Sequence, residues 1–279
     1  MVAKLKDVID EYNLKCSSQC ADIWVDNDDI VVVVCSPLMK RVPQLLNSSS
    51  GMVIMDFSGN MDRYDTMAGF LTAPSLAGGL PLGLIMTSAE TEALITKGLM
   101  MLQKLYPNTS FFGRGTHGPK VFITDDCKKE RNSLASLYPL SVLLSCLFHI
   151  LQAFLRYVTA TEHRVKKEDK AVIYDAFRNL VRSQTEEEYN NKYEDFKTSD
   201  VLLRNKTIYT HVTKDLHPCR IEWALCYRSD LVVRGNNTSN LAEGNFLQVK
   251  STVMERVKAF NAVQLFDFFV TKLEAYYQA

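Results

Sequence analysis

The sequence predicts an α/β fold with a helical insertion, and three observations carry that prediction. Short apolar runs at Ile30–Cys35, Met52–Met55, Leu82–Met86 and Val121–Thr124 read as strands covered on both faces, because such strands lack polar alternation. From about 160 to 230 the chain turns charged, and its apolar residues recur at helical spacing. Two more amphipathic segments, Leu241 to about Phe260 and Val263 to Tyr277, close the chain. Strands first and helices later imply a sheet core interrupted by a helical block.

The elements follow in order. Residues 1–20 form a polar helix with Val8, Ile9 and Tyr12 as its apolar positions. The Val-rich strand Ile30–Cys35 comes next, then a turn at Asn47–Gly51. Met52–Met55 runs straight into Asp56, and a polar segment, Gly59–Asp65, precedes Leu82–Met86. Thr87 with Glu90 is a capping-box pattern. The helix after it presents Leu94, Ile95, Gly98, Met101, Leu102 and Leu105 on one face, and Pro107 ends it. Gly113, Gly115 and Gly118 match GxGxxG, but they precede the strand Val121–Thr124. A dinucleotide loop follows its strand, so these glycines read as a turn and no nucleotide cofactor is expected. Ser141–Phe148 reads as a strand running into a helix, His149–Val158. Val172, Ile173, Ala176, Phe177, Leu180 and Val181 form a helical stripe. Thr185 with Glu188 is a second capping box, leading into Tyr189, Tyr193 and Phe196, and Ile221–Cys226 is a further apolar patch.

Composition narrows the function classes. Of 279 residues, 47% are hydrophobic and 23% charged, which argues against a disordered or fibrous chain. Lys+Arg and Asp+Glu are both 32; a histone-like coat needs a large cationic excess, whereas a local basic groove does not. The N-terminus lacks an apolar signal core, so no secretory signal is expected. Seven scattered cysteines are expected to be reduced thiols. The apolar stretch Leu137–Val158 is not read as a membrane span, because His149, Gln152 and Arg156 interrupt it and a central Arg and His are costly in lipid.

Few residues stand out chemically. Asp56 and Asp125 each end an apolar strand. An Asx turn or helix cap explains either one alone; on adjacent parallel strands the two would form a carboxylate pair able, with a third acid, to hold magnesium or manganese. Glu243 is the third acid, and it also fits a capping box whose N-cap would be Asn240. Cys146 and His149 form a Cys-x-x-His pair, half of a four-ligand zinc site, so no structural zinc is expected.

Asp56 after its strand, the phrase Thr124-Asp125-Asp126-Cys127-Lys128-Lys129-Glu130-Arg131, Tyr138-Pro139 and Cys146-Leu-Phe-His149-Ile-Leu-Gln152 together resemble the transposase domain of Mutator-like elements. Arg234-Gly-Asn-Asn-Thr-Ser-Asn-Leu-Ala-Glu243 resembles the segment carrying that family's last catalytic acid. The likeness runs from about Ile30 to the C-terminus. It implies an RNase H-like mixed-sheet core with a helical insertion before the last catalytic helix, and a catalytic triad of Asp56, Asp125 and Glu243. Those three would bind two Mg²⁺ or Mn²⁺ ions, with Cys146 and His149 as a motif near the site. The implied activity is DNA strand cleavage and strand transfer, with transposon ends and target DNA as partners and a possible homodimer. Lys128, Lys129, Arg131 and Arg234 are candidate DNA contacts. The alternative is a truncated or domesticated, inactive DNA-binding protein, since no zinc module precedes the core and no CxC…CxH finger follows it. The expected division is residues 1–29 as a helical remnant or linker, 30–160 as the core with both aspartates, 161–233 as the insertion and 234–279 as closing helices. The expected location is nuclear, without a membrane partner.

Overall fold

Seven strands form one mixed sheet in the order β1-β2-β5-β4-β3-β6-β7. They are β1 (Ala21–Asp26), β2 (Asp29–Val34), β3 (Met52–Ser58), β4 (Met67–Ser75), β5 (Gly78–Thr87), β6 (Val121–Thr124) and β7 (Val142–Ser145). The computed structural model describes residues 1–125, 127–255 and 257–278. Two units emerge, Met1–Leu143 with Ser239–Ala279, and Leu144–Thr238.

In the first unit β3, β4 and β5 form an antiparallel meander, and β6 returns parallel to β3. The β1–β2 hairpin adds to β5 on the far side. Its helices are α1 (Val2–Cys16), α2 (Pro37–Leu45), α3 (Ser48–Gly51), α4 (Glu92–Leu105), α5 (Ser110–Gly113) and α6 (Lys128–Leu137).

The second unit contributes α7 (Leu147–Thr159), α8 (Lys167–Val181), α9 (Glu186–Thr198), α10 (Asp200–Arg204) and α11 (Lys206–Thr210). The first unit resumes with α12 (Asn240–Gln248), α13 (Ala262–Asp267) and α14 (Glu274–Gln278).

Strand alternation assigns the two faces of the sheet. Ile85 of β5 meets α4 so closely that a Cβ on Gly98 would lie 2.4 Å from Ile85 Cγ2. Ile85 is opposite Gly69, and Gly69 is opposite Phe57, so those residues share the α4 face. Phe70 and Asp56, which pair with each other, take the other face. There the Phe70 ring lies 5.0 Å from Phe246 of α12 and 5.9 Å from Phe269.

The second unit is helical from residue 146 onward, with no strand among its described residues beyond β7. Its core joins Phe154, Phe177, Tyr189 and Trp223, with the Phe154 and Phe177 ring centroids 3.9 Å apart.

Several expectations need correction. Residues 1–29 are neither remnant nor linker: Leu5, Ile9 and Tyr12 are buried and β1 is a sheet strand. The unit boundaries fall at 143/144 and 238/239 rather than at 160/161 and 233/234. The reason is α7, whose stripe Ile150, Phe154 and Val158 belongs to the helical unit's core. Residues 48–51 form a short helix instead of a plain turn. The strand expected over Ser141–Phe148 stops at Ser145, and α7 starts at Leu147. Thr91, not Thr87, caps α4 by accepting from Leu94 N, because Thr87 is still paired inside β5. The glycine-rich segment is a turn, with positive φ at Gly113, Gly115 and Gly118. At Gly118 a Cβ would also strike the Tyr138 ring at 2.5 Å.

Candidate active site

Asp56 and Asp125 stand on neighbouring strands in step. Met52, Val53 and Ile54 of β3 pair with Val121, Phe122 and Ile123 of β6, an offset of 69 positions. The two aspartates are separated by that same offset. Adjacent strands lie about 4.8 Å apart, so the register, continued past Ile54 and Ile123, brings both acids to the C-terminal end of β6. Asp56 is buried at 7% exposure inside β3. Asp125 directly follows β6 and is half-buried, and its Oδ1 accepts from Cys127 N at 2.9 Å. The Asx-turn role therefore exists, alongside the shared location. Asp126 of the motif lies outside the described residues.

Glu243 sits in the first turn of α12, on the sheet face that Asp56 shares with Phe70. Ser239, not Asn240, precedes that helix as its N-cap. Ser239 Oγ donates to Glu243 Oε1 at 2.8 Å, which fixes the carboxylate. Asn245 of the same helix donates to Thr72 Oγ1 at 2.8 Å, anchoring α12 to β4.

Another acid lies beside Asp125, and sequence reasoning missed it; among the described residues, the close-set donor group that it joins does not include Glu243. Glu130 on α6 is 1% exposed, and its Oε2 has no hydrogen-bond partner among the described residues. Burial, followed by the negative charges of Asp125, Asp56 and Glu90, pushes its carboxyl well above the usual carboxylate range. The group listens to both aspartates, which ties all three carboxylates to one neighbourhood. The sequence carried little signal for it: the buried residues of α6 are Glu130, Ser133 and Leu134, too polar a set to mark a buried face, and only its burial in the fold makes the acid unusual. Among the described residues, donor atoms of Asp125, Cys127 and Glu130 lie within 4.8 Å of one another. The Cys127 thiol, raised to about 11 chiefly by burial, donates to Glu90 Oε1 at 3.4 Å.

The expected basic residues are divided. Lys128 and Lys129 are exposed in the first turn of α6, and Arg131 is half-buried. Lys129 Nζ donates to Glu90 O at 2.7 Å. Arg234 is exposed in the second unit with φ 50. Lys250, which the sequence reading passed over, donates to Ser58 Oγ at 2.7 Å at the end of β3. Cys146 and His149 also belong to the second unit; Cys146 is buried and His149 half-buried, less enclosed than a core position would be.

No family model matches this chain. Among curated proteins it is similar to a PKS-NRPS hybrid synthetase, cheA, of Chaetomium globosum, with 24% identity over 177 residues. The match covers 53% of this chain and 4% of that protein. Among the described residues, no helix is long and apolar enough to cross a membrane.

Proposed function

We propose that this chain is a transposase-derived catalytic core of RNase H-like type, which cuts DNA strands and transfers the freed ends with Asp56, Asp125 and Glu243 as its metal-binding acids. The carrying observation is the parallel register of β3 and β6, which, continued two residues past Ile54 and Ile123, sets Asp56 opposite Asp125. Two turn-capping acids with no common task have no reason to fall in step. The meander β3–β4–β5 with β6 returning beside β3, and the first turn of α12 on the Asp56 face, support the fold reading.

The donor set suits hard divalent cations. Carboxylate oxygens are the ligands magnesium and manganese prefer, and the orphaned, buried Glu130 Oε2 marks a place where negative charge exceeds its compensation. Bound there, two such ions supply an activated water or 3′ hydroxyl and stabilise the leaving oxygen of a phosphodiester. The chain's own part is positioning. The Cys127 amide orients Asp125, Ser239 orients Glu243, and the sheet fixes Asp56. Lys128 and Lys250 flank these acids as cations that DNA phosphates can meet.

The test is a strand-cleavage assay with Mn²⁺ on a pre-cut DNA end, comparing wild type with Asp125→Asn. Cleavage by the wild type alone supports the reading. DNA binding without cleavage by either protein replaces it with the alternative, a domesticated binding protein. Neither binding nor cleavage removes the DNA assignment.

A further inference from the structure

We infer that Asp125, Cys127 and Glu130 form a second kind of cation site, selective for zinc over magnesium. Three observations on this chain combine. The donors, one sulfur and two carboxylates, already lie within 4.8 Å of one another. Ligand atoms around a tetrahedral zinc stand roughly 3.5 Å apart, so only small side-chain adjustments separate this cluster from a three-ligand site. The second observation is independent of spacing: Glu130 is 1% exposed, and its Oε2 has no partner among the described residues. A buried carboxyl oxygen without a donor costs free energy unless a ligand completes it. The third is local charge seen in the geometry: Glu90 Oε1 lies 3.4 Å from Cys127 Sγ and adds another carboxylate beside the cluster.

Sulfur decides the metal. A thiolate suits borderline-soft zinc and is a poor partner for magnesium, which prefers all-oxygen shells. Binding releases the Cys127 proton, and any proton on Glu130, to solvent. Three protein ligands leave a fourth position open to water. The backbone favours the arrangement: Asp125 and Cys127 straddle a single residue, and Glu130 lies in the first turn of α6. This site is distinct from the Cys146–His149 pair, and it departs from the expectation that no zinc is held. Its existence does not depend on the cleavage reading, although it shares Asp125 with it.

The experiment uses the full chain, zinc alone as probe, a competing chromophoric chelator and excess magnesium throughout. One zinc per chain is expected, with affinity falling about tenfold or more in both Cys127→Ser and Glu130→Gln. Cys146→Ser, which removes a thiol outside the cluster, is expected to keep zinc affinity within about threefold, a change smaller than the loss of a supporting group brings. Cobalt provides a second readout that needs no Glu130 variant. Cobalt-loaded wild type should show a near-ultraviolet thiolate charge-transfer band that Cys127→Ser lacks. Failure to take up zinc in magnesium excess overturns the proposal. So does zinc affinity unchanged in Cys127→Ser, or a loss confined to Cys146→Ser, which would place zinc on the Cys146–His149 pair. None of these results touches the DNA assay, so the two ideas fail separately.

Discussion

Both units bury acids, but they treat them differently. In the helical unit Asp169 is 2% exposed and fully engaged: Arg204 Nε donates to its Oδ2 at 3.0 Å, Arg204 Nη2 to its Oδ1, and Asn205 to its Oδ2 at 3.0 Å. The buried Arg228 of that unit likewise donates to Ser145 O at 2.6 Å and Glu222 O at 3.0 Å. In the sheet unit Glu130 is just as buried, yet it faces Asp125, Asp56 and Glu90. A charge satisfied by partners is accounted for by folding. One surrounded by its own sign is where the proposed cation would be held.

The largest effect should come from the sheet unit. Asp125→Asn should reduce Mn²⁺-dependent strand cleavage by roughly a thousandfold or more, on the scale of losing a group that acts only in the transition state. The melting temperature should stay within a few degrees, because the amide keeps the shape and removes repulsion. A large drop in stability would mean that Asp125 serves the fold, as Asp169 does.

Next comes the aromatic core of the helical unit. Phe177 is fully buried between Phe154 and Trp223. Phe177→Ala should cost about 3–5 kcal/mol, read by denaturant unfolding. If the two units unfold separately, the loss should appear in one transition alone, while the sheet unit keeps its own midpoint.

Much of this contrast was visible in the sequence, and the exceptions are physical. Asp56 and Asp125 were legible because each interrupts an all-apolar run, although β3 does not end at Asp56 as expected but continues to Ser58. Thr185 was legible too: its Oγ1 accepts from Glu188 N at 3.1 Å. The strand β4 was not. Its sequence MAGFLTAPS has little β propensity, and it is a strand because β3 and β5 pair with it on both sides. The edge strand β1, half-exposed and bounded by Asp22 and Asp26, gave no apolar run to notice. Glu130 was hidden because an acid in a helical first turn has an ordinary explanation in the helix dipole. Only the neighbouring β3 acid, brought in by the sheet, makes its position unusual. The closing helices were expected to be continuous, but the first ends at Val253 rather than at about Phe260, and π-helical stretches occupy Val249–Val253 and Phe268–Leu273. Nothing in local propensity marks such bulges.

A smaller effect tests the sign of the Glu130 environment. Its carboxyl titrates above its unfolded value, so the folded state holds the proton more tightly. Stability should therefore be greatest below the unfolded glutamate range and decline as pH rises toward the folded value. Glu130→Gln, which cannot ionise, should flatten that decline and raise the melting temperature by a few degrees near pH 8 in chelator, on the scale of about 1 kcal/mol. A variant that is less stable than wild type under those conditions would show that the carboxylate has a cationic partner.

The smallest effect should come from the paired acid, with the opposite sign. Arg204 and Asn205 hold the Asp169 carboxyl down at about 2, below its unfolded value near 3.9. A depressed carboxylate contributes stability that is present above the unfolded value and lost as pH falls through the folded one. Arg204→Gln removes the main cause of that depression, so wild type and variant should differ above pH 4 and converge as pH approaches 2. The difference should be modest, because the Arg204 side chain is 53% exposed and solvent screens its charge. Raising the salt concentration should narrow it further. Melting curves of both proteins from pH 2 to 6 supply the check. Curves that stay equally far apart down to pH 2 would mean that Arg204 acts through packing of its stem rather than through Asp169. The intended comparison would then fail, since the helical unit's acid would be tolerated for a reason other than its partner.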